Sequence, residues 1–173
     1  MNIKAFRSVF ALRFKTFIIA CLLVNVGFAN TYYVSTSGDD SGDGSISNPF
    51  RTIAEAATVL NAGDTVLVYG GTYSEKNILP AHSGTGNAMI VFKPNPGTGD
   101  VMINHPATSS DDDTPVFNLS NRSFIWIEGF HFKDFEYGQA SIKISGGENN
   151  VVMNNRFENL GNSNVESWDE NSV

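Results

Sequence analysis

The pentapeptides HFKDF at residues 131–135 and RFENL at 156–160 decide how this chain is read. Both carry phenylalanine second, both close on an apolar residue, and they stand 25 residues apart. Laying 115–139 over 140–164 at that offset brings Phe117 to Ile142, Leu119 to Ile144, Ile127 to Val152, Phe132 to Phe157 and Phe135 to Leu160. Five apolar coincidences at one offset mark an internal repeat, and the Gly, Asn, Asp and Ser between them are turn residues.

Inside one repeat the apolar residues come in alternating pairs: Phe117/Leu119, Ile125/Ile127 and Phe130/Phe132. Period two is the signature of strands with one buried face. The parity changes at Gly129, which predicts a bend rather than a continuing strand. Three short strands per repeat make one turn of a three-sided coil. No turn buries its own apolar face, so stacked turns must share a core and pair their strands in parallel. Phe132 and Phe157 are then expected inside, one above the other at ~4.8 Å. His131 and Arg156 stack outside, as do Lys133 and Glu158, while Asp134 and Asn159 share a corner.

Working outward, DTVLVY at 64–69 places Val66 and Val68 inward, and MIVFKP at 89–94 places Ile90 and Phe92 inward, an offset of 24. The step from Phe92 to Phe117 is again 25, which predicts that these two are equivalent. Pro94 and TSSDDDTP mark loop insertions between them. A lid for the open coil is read in NPFRTIAEAATVLNAGD. Asn48 is the expected N-cap and Pro49 the first helical residue. Phe50, Ile53, Ala54, Ala57 and Leu60 line one face, and Gly63 closes the helix. The expected order is 1–29 leader, 30–63 entry strand, loop and capping helix, 64–160 turns of the coil, and 161–173 a polar end.

Residues 1–29 hold Lys4, Arg7, Arg13 and Lys15, no acid, the apolar run FIIACLLV, and small residues at Gly27 and Ala29. That order reads as a secretory signal peptide, and the run falls short of the ~20 residues of a spanning helix. Export to the cell surface, periplasm or medium is therefore expected, with no transmembrane helix in the mature chain; lipidation at Cys21 stays open. Without the leader, seven bases face 18 acids and no cysteine remains. A chain so acidic is not expected to bind nucleic acid, and packing and hydrogen bonds must hold it without a disulfide.

The segment from Tyr32 to Tyr73, then SGTGNAMIVFKP, FIWIEGFHFKDF and NNVVMNNRFENL, resembles the entry and first turns of secreted right-handed parallel β-helix proteins, the pectate-lyase-like superfamily. The expected fold class is thus all-β, a right-handed parallel β-helix (solenoid) with an N-terminal capping α-helix. Members include lyases of uronate polysaccharides: pectate lyases, alginate lyases and chondroitinase B-like enzymes. The resemblance implies an acidic polysaccharide as partner. It also implies β-elimination, in which Ca²⁺ commonly neutralises the uronate carboxylate while Lys or Arg takes the C5 proton. It assigns no catalytic residue here by motif.

Residue types offer candidates. Lys143 and Arg156 are expected to point outward on the last turn, with His131 one turn below Arg156, so these three are candidate catalytic bases or polyanion contacts. Ordinary solvated strand faces, with Lys133 and Glu158 paired beside them, are the simpler reading. Trp126 faces outward between Ile125 and Ile127, either to stack on a sugar ring or to lie under the insertion at 106–114. Asp39, Ser41 and Asp43 alternate before Gly44 like half a calcium loop, but the twelfth position is Phe50, not Glu, so a glycine-rich surface loop is the other reading. His105 reads as a turn histidine and DDDTP at 111–115 as a solvated loop. Three functions stay open: a uronate lyase, a noncatalytic adhesin or polysaccharide-binding module, and a glycoside hydrolase on the same scaffold.

Overall fold

A computed structural model describes residues 28–106, 112–135 and 140–160. The leader expected at 1–29 lies almost wholly outside them, and the polar end 161–173 lies outside altogether. The entry strand β1 (Thr31–Val34) precedes a helix, α1 (Ile53–Val59). Ten strands follow: β2 (Thr65–Val68), β3 (Gly71–Ser74), β4 (Ile90–Pro94), β5 (Val101–Asn104), β6 (Phe117–Ser120), β7 (Ile125–Glu128), β8 (His131–Lys133), β9 (Ile142–Ser145), β10 (Val151–Met153) and β11 (Arg156–Glu158). They form three walls: β1-β2-β4-β7-β10, β11-β8-β5-β3 and β6-β9. Every pairing between these strands is parallel, so the chain is a solenoid that passes from wall to wall once per turn.

The repeat read from the pentapeptides sets the register. His131, Phe132 and Lys133 pair with Arg156, Phe157 and Glu158. Phe117 and Leu119 pair with Ile142 and Ile144, and Ile127 with Val152. The Phe132 and Phe157 rings stack, with centroids 5.2 Å apart and planes 9° from parallel. The corners repeat as well. Asn121 and Gly146, Phe124 and Asn149, Gly129 and Asn154, and Asp134 and Asn159 all have positive φ. Each pair is one repeat apart, so equivalent corners use the same left-handed turn; Gly and Asn adopt it at least cost. At the last corner Asn159 Nδ2 donates to Asp134 Oδ1 at 2.8 Å.

Two positions of the repeat exchange apolar residues for asparagine. One turn above Ile125 and Phe130 stand Asn150 and Asn155. Asn150 Oδ1 accepts from the Ile125 amide at 3.0 Å while Nδ2 donates to the Arg122 carbonyl at 2.8 Å. Asn155 does the same for the Phe130 amide and the Ile127 carbonyl, both at 2.9 Å. Each amide group thus clamps the backbone of the turn below at a bend, where a strand ladder cannot satisfy it.

The earlier turns correct the expected offsets. Val66 lies opposite Phe92 and Val68 opposite Pro94, 26 residues on. Phe92 lies opposite Ile127, not Phe117. Phe92 and Phe117 sit on different walls and meet edge-on across the core, at 5.4 Å and 73°. Their spacing in sequence matched the repeat only because an insertion lengthened this turn. The interior column itself is continuous: Val66, Val68, Ile90, Phe92, Ile103, Phe117, Leu119, Ile125, Ile127 and Phe132 are all fully buried.

The lid forms, but from a later start. Thr52, not Asn48, is the N-cap, and its side chain accepts from the Glu55 amide. Asn48 instead bridges Ser45, and Phe50 bridges Val34 as an extension of the coil. Asp40 holds this corner by accepting from the Arg51 and Thr52 amides at 2.8 and 2.9 Å. Ile53, Ala56 and Ala57 close the N-terminal end of the core. Buried Asp64 ties the helix exit to the entry strand, with Oδ1 accepting from the Asn30 amide and Oδ2 from the Asn61 amide, both at 2.7 Å. At the other end Phe157 and Val152 remain 42% and 39% exposed, because their inner faces have no turn above them among the described residues.

Candidate functional site

Alternation along β3, β5, β8 and β11 sends every second side chain out of the coil. The registers align Thr72, Met102, His131 and Arg156 in one outward row, and Ser74, Asn104, Lys133 and Glu158 in the next. The upper end of this wall is charged. Glu158 sits among three basic groups: it ion-pairs with Arg156, lies 3.2 Å from Lys133 Nζ and lies 3.2 Å from His131 Nε2. The hydrogen bond from Lys133, followed by the charges of Arg156, Lys133 and His131, holds the Glu158 carboxyl below its ordinary range. His131 Nε2 is buried, and its approach to Glu158 lacks the alignment of a hydrogen bond. Below these charges a depression of about 150 Å³ is lined by Thr72, Met102, Ile103, Asn104, Lys133 and Asp134. A second depression, of about 200 Å³, adjoins it at Thr72 and reaches Arg51, Thr52, Ser74 and Glu75 beneath the lid.

Glu75 serves the helix. Its two carboxylate oxygens accept from the Ile53 and Ala54 amides at 2.9 Å each, satisfying donors that the first turn leaves open. Burial raises its pKa, and the two amide bonds offset that only in part.

The candidate residues do not converge. His131 and Arg156 are neighbours, as expected, but Lys143 lies on β9 beside Asn118, on another wall. Trp126 faces outward from the five-stranded wall, and its Nε1 donates to Glu128 Oε2 at 3.0 Å. The described ends of the insertion lie elsewhere: His105 bonds the Thr114 carbonyl through Nε2 and meets the Phe135 ring, and Asp112 pairs with Lys76. Asp39 and Asp43 belong to separate local turns. Asp39 Oδ1 accepts from the Ser41 amide and hydroxyl, and Asp43 Oδ1 from the Ser45 amide. These bonds hold both carboxyls below their ordinary pKa. Each turn uses only Oδ1 of its aspartate, and among the described residues no three His, Cys, Asp or Glu side chains are grouped to hold a metal. Thr72, Met102 and Asn104 were missed by sequence reasoning. Their alternation was visible, but not which turns would bring them side by side.

A capped, single-chain solenoid of parallel strands is the architecture of parallel β-helix proteins. Comparison with known sequences narrows this: the chain belongs to the Pel9A-like right-handed beta helix family, whose model matches residues 32–172. The right-handed coil expected from the sequence is thereby borne out. The chain is 29% identical over 132 residues to the uncharacterized protein YwoF of Bacillus subtilis, covering 73% of this chain and 28% of that one. It is 29% identical over 136 residues to pectate lyase PEL9 of Emericella nidulans, covering 74% and 32% respectively. A solved rhamnogalacturonan lyase superposes with a TM-score of 0.62 at 23% identity, over 75% of this chain and 36% of that one, which speaks to fold alone. The chain therefore spans about a third of the length of these relatives.

Proposed function

We propose that this chain is the N-terminal part of an exported lyase that cleaves a uronate-containing polysaccharide by β-elimination. The observation that carries the reading is the similarity to a pectate lyase across the entry segment and coil. Family membership over residues 32–172 supports it. The basic leader with its apolar run supports export. In this reading the lid and first turns are the rigid base on which later turns present the reacting groups.

No residue of this chain is assigned the proton abstraction. Lys143, Arg156 and His131 have suitable chemistry, yet the first is on a different wall from the other two, Arg156 pairs with Glu158, and His131 Nε2 is buried. Trp126 remains a proposed sugar-stacking position, with its indole edge anchored by Glu128. Calcium, for which Asp39 and Asp43 stay proposed ligands, enters as a variable of the assay.

The test is to incubate the full-length gene product with pectate, alginate and chondroitin, with and without Ca²⁺. Unsaturated product absorbing in the near ultraviolet is the expected outcome. New reducing ends without unsaturation would reassign the protein as a hydrolase, and tight binding without cleavage would make it an adhesin.

A further inference from the structure

The outward wall β3-β5-β8 carries two adjoining depressions that share Thr72, forming one trough along the coil axis. Strands along that axis are spaced ~4.8 Å apart, a step comparable with one residue of an extended glycan. The charges at the trough are already matched. Lys133 Nζ lies 3.2 Å from Glu158 Oε1 and 4.0 Å from Asp134 Oδ2, and Arg156 pairs with Glu158. Asp134 also accepts from Asn159, and both Glu75 oxygens are taken by helix amides. Arg51, which lines the trough and donates to the Gly38 carbonyl, adds a third cation. Arg51, Lys133 and Arg156 thus face three carboxylates, Glu75, Asp134 and Glu158, and leave no net positive charge for an anionic ligand.

What remains unused is neutral hydrogen-bonding capacity over an apolar floor. Thr72 and Ser74 are exposed hydroxyl residues, and Met102 supplies apolar surface between them and Lys133. Asn104 lines the trough with its Oδ1 buried and lacking any hydrogen-bond partner. An unpaired buried acceptor costs about 1–3 kcal/mol. Half a turn about χ2 exchanges Oδ1 with Nδ2, so this amide can offer either a donor or an acceptor to a ligand.

We propose that this trough binds uncharged glycosyl residues of a glycan, as a site separate from the lyase chemistry. The proposal rests on the reading of the chain as part of a polysaccharide-active protein. At the Lys133 end a uronate would have to displace Glu158 or Asp134, whereas a neutral sugar hydroxyl needs only Thr72, Ser74 and Asn104.

The test is calorimetric titration of the full-length protein with neutral tetrasaccharides (β-1,4-galactose, α-1,5-arabinose, β-1,4-xylose) and with tetragalacturonate. Thr72→Trp fills the trough from an exposed position, and Asn104→Leu removes the amide; unchanged melting confirms the fold. At least one neutral tetrasaccharide is expected to bind, and both variants are expected to weaken it tenfold or more. The proposal is overturned if no neutral sugar binds, if binding ignores both variants, or if Thr72→Trp weakens tetragalacturonate more than every neutral sugar. Cleavage of pectate, alginate and chondroitin, measured in parallel, separates the two readings. Cleavage without neutral binding sinks the trough alone, neutral binding without cleavage leaves it standing and removes the lyase, and loss of both removes both.

Discussion

From β7 to β10 the chain closes a turn in 25 residues, Ile127 to Val152, whereas from β4 to β7 it takes 35, Phe92 to Ile127. Both turns deliver parallel strands and inward apolar side chains to the same column. Only the shorter one also repeats its corners, with matched left-handed residues and the Asp134–Asn159 side-chain bond. Core and ladder therefore tolerate a changed turn length, because an insertion leaves the wall as a loop and returns to it. Corner geometry does not tolerate it, because a left-handed residue is useful only at the bend itself.

Deleting equivalent positions on two turns is the sharpest way to probe that difference. Phe132 is fully buried while Phe157, one turn above, is 42% exposed. Phe132→Ala is expected to cost about 3–5 kcal/mol, and Phe157→Ala about 1–2 kcal/mol, less than a fully buried side chain contributes. Equal losses in chemical denaturation would show that the two stacked rings are not in the unequal environments described.

The asparagine clamps come next. Asn155→Ala strips the Phe130 amide and Ile127 carbonyl of their partner, and Asn150→Ala does the same to Ile125 and Arg122. Each is expected to cost about 1–3 kcal/mol, although neither removes apolar contact. Asn150→Ile and Asn155→Phe, each restoring the residue of the turn below, should not recover the loss; a full recovery would show that packing, not clamping, is what these positions supply.

The smallest effect concerns the irregular turn. Lys76, by a hydrogen bond, holds the Asp112 carboxyl down at about 2, with Thr114 adding to it. A depressed carboxyl lends stability above its unfolded value of ~4, and that contribution fades as pH falls towards the folded value. Lys76→Ala should lower the melting temperature slightly at neutral pH and flatten its fall below pH ~4. An unaltered acid slope would remove Asp112 from the account of that loop.

Much of the coil was legible in the sequence, and the limits are instructive. Phe132 over Phe157 and Asp134 over Asn159 could be read because identical spacing on adjacent turns needs no knowledge of the rest. Phe92 and Phe117 were misaligned because apolar pairs on any wall look alike, so an insertion near the repeat length imitates a turn. The lid was read at the right place but began at Thr52, since Phe50 had a better position as a rung of the coil. Of the outward groups, His131 beside Arg156 and Lys143 on a different strand both followed from the repeat, whereas the row through Thr72 and Met102 did not.

The sequence alone determined that the chain winds in parallel turns, which residues face the interior of the last two, and that a helix covers one end. Periodicity carries that information because burial acts on each strand locally. Only the tertiary structure decided which walls share an outward surface and that Thr72, Met102 and Asn104 form one trough. Those neighbours come from turns of unequal length, and the length of a solvated loop is unconstrained by the pattern of the strands it joins.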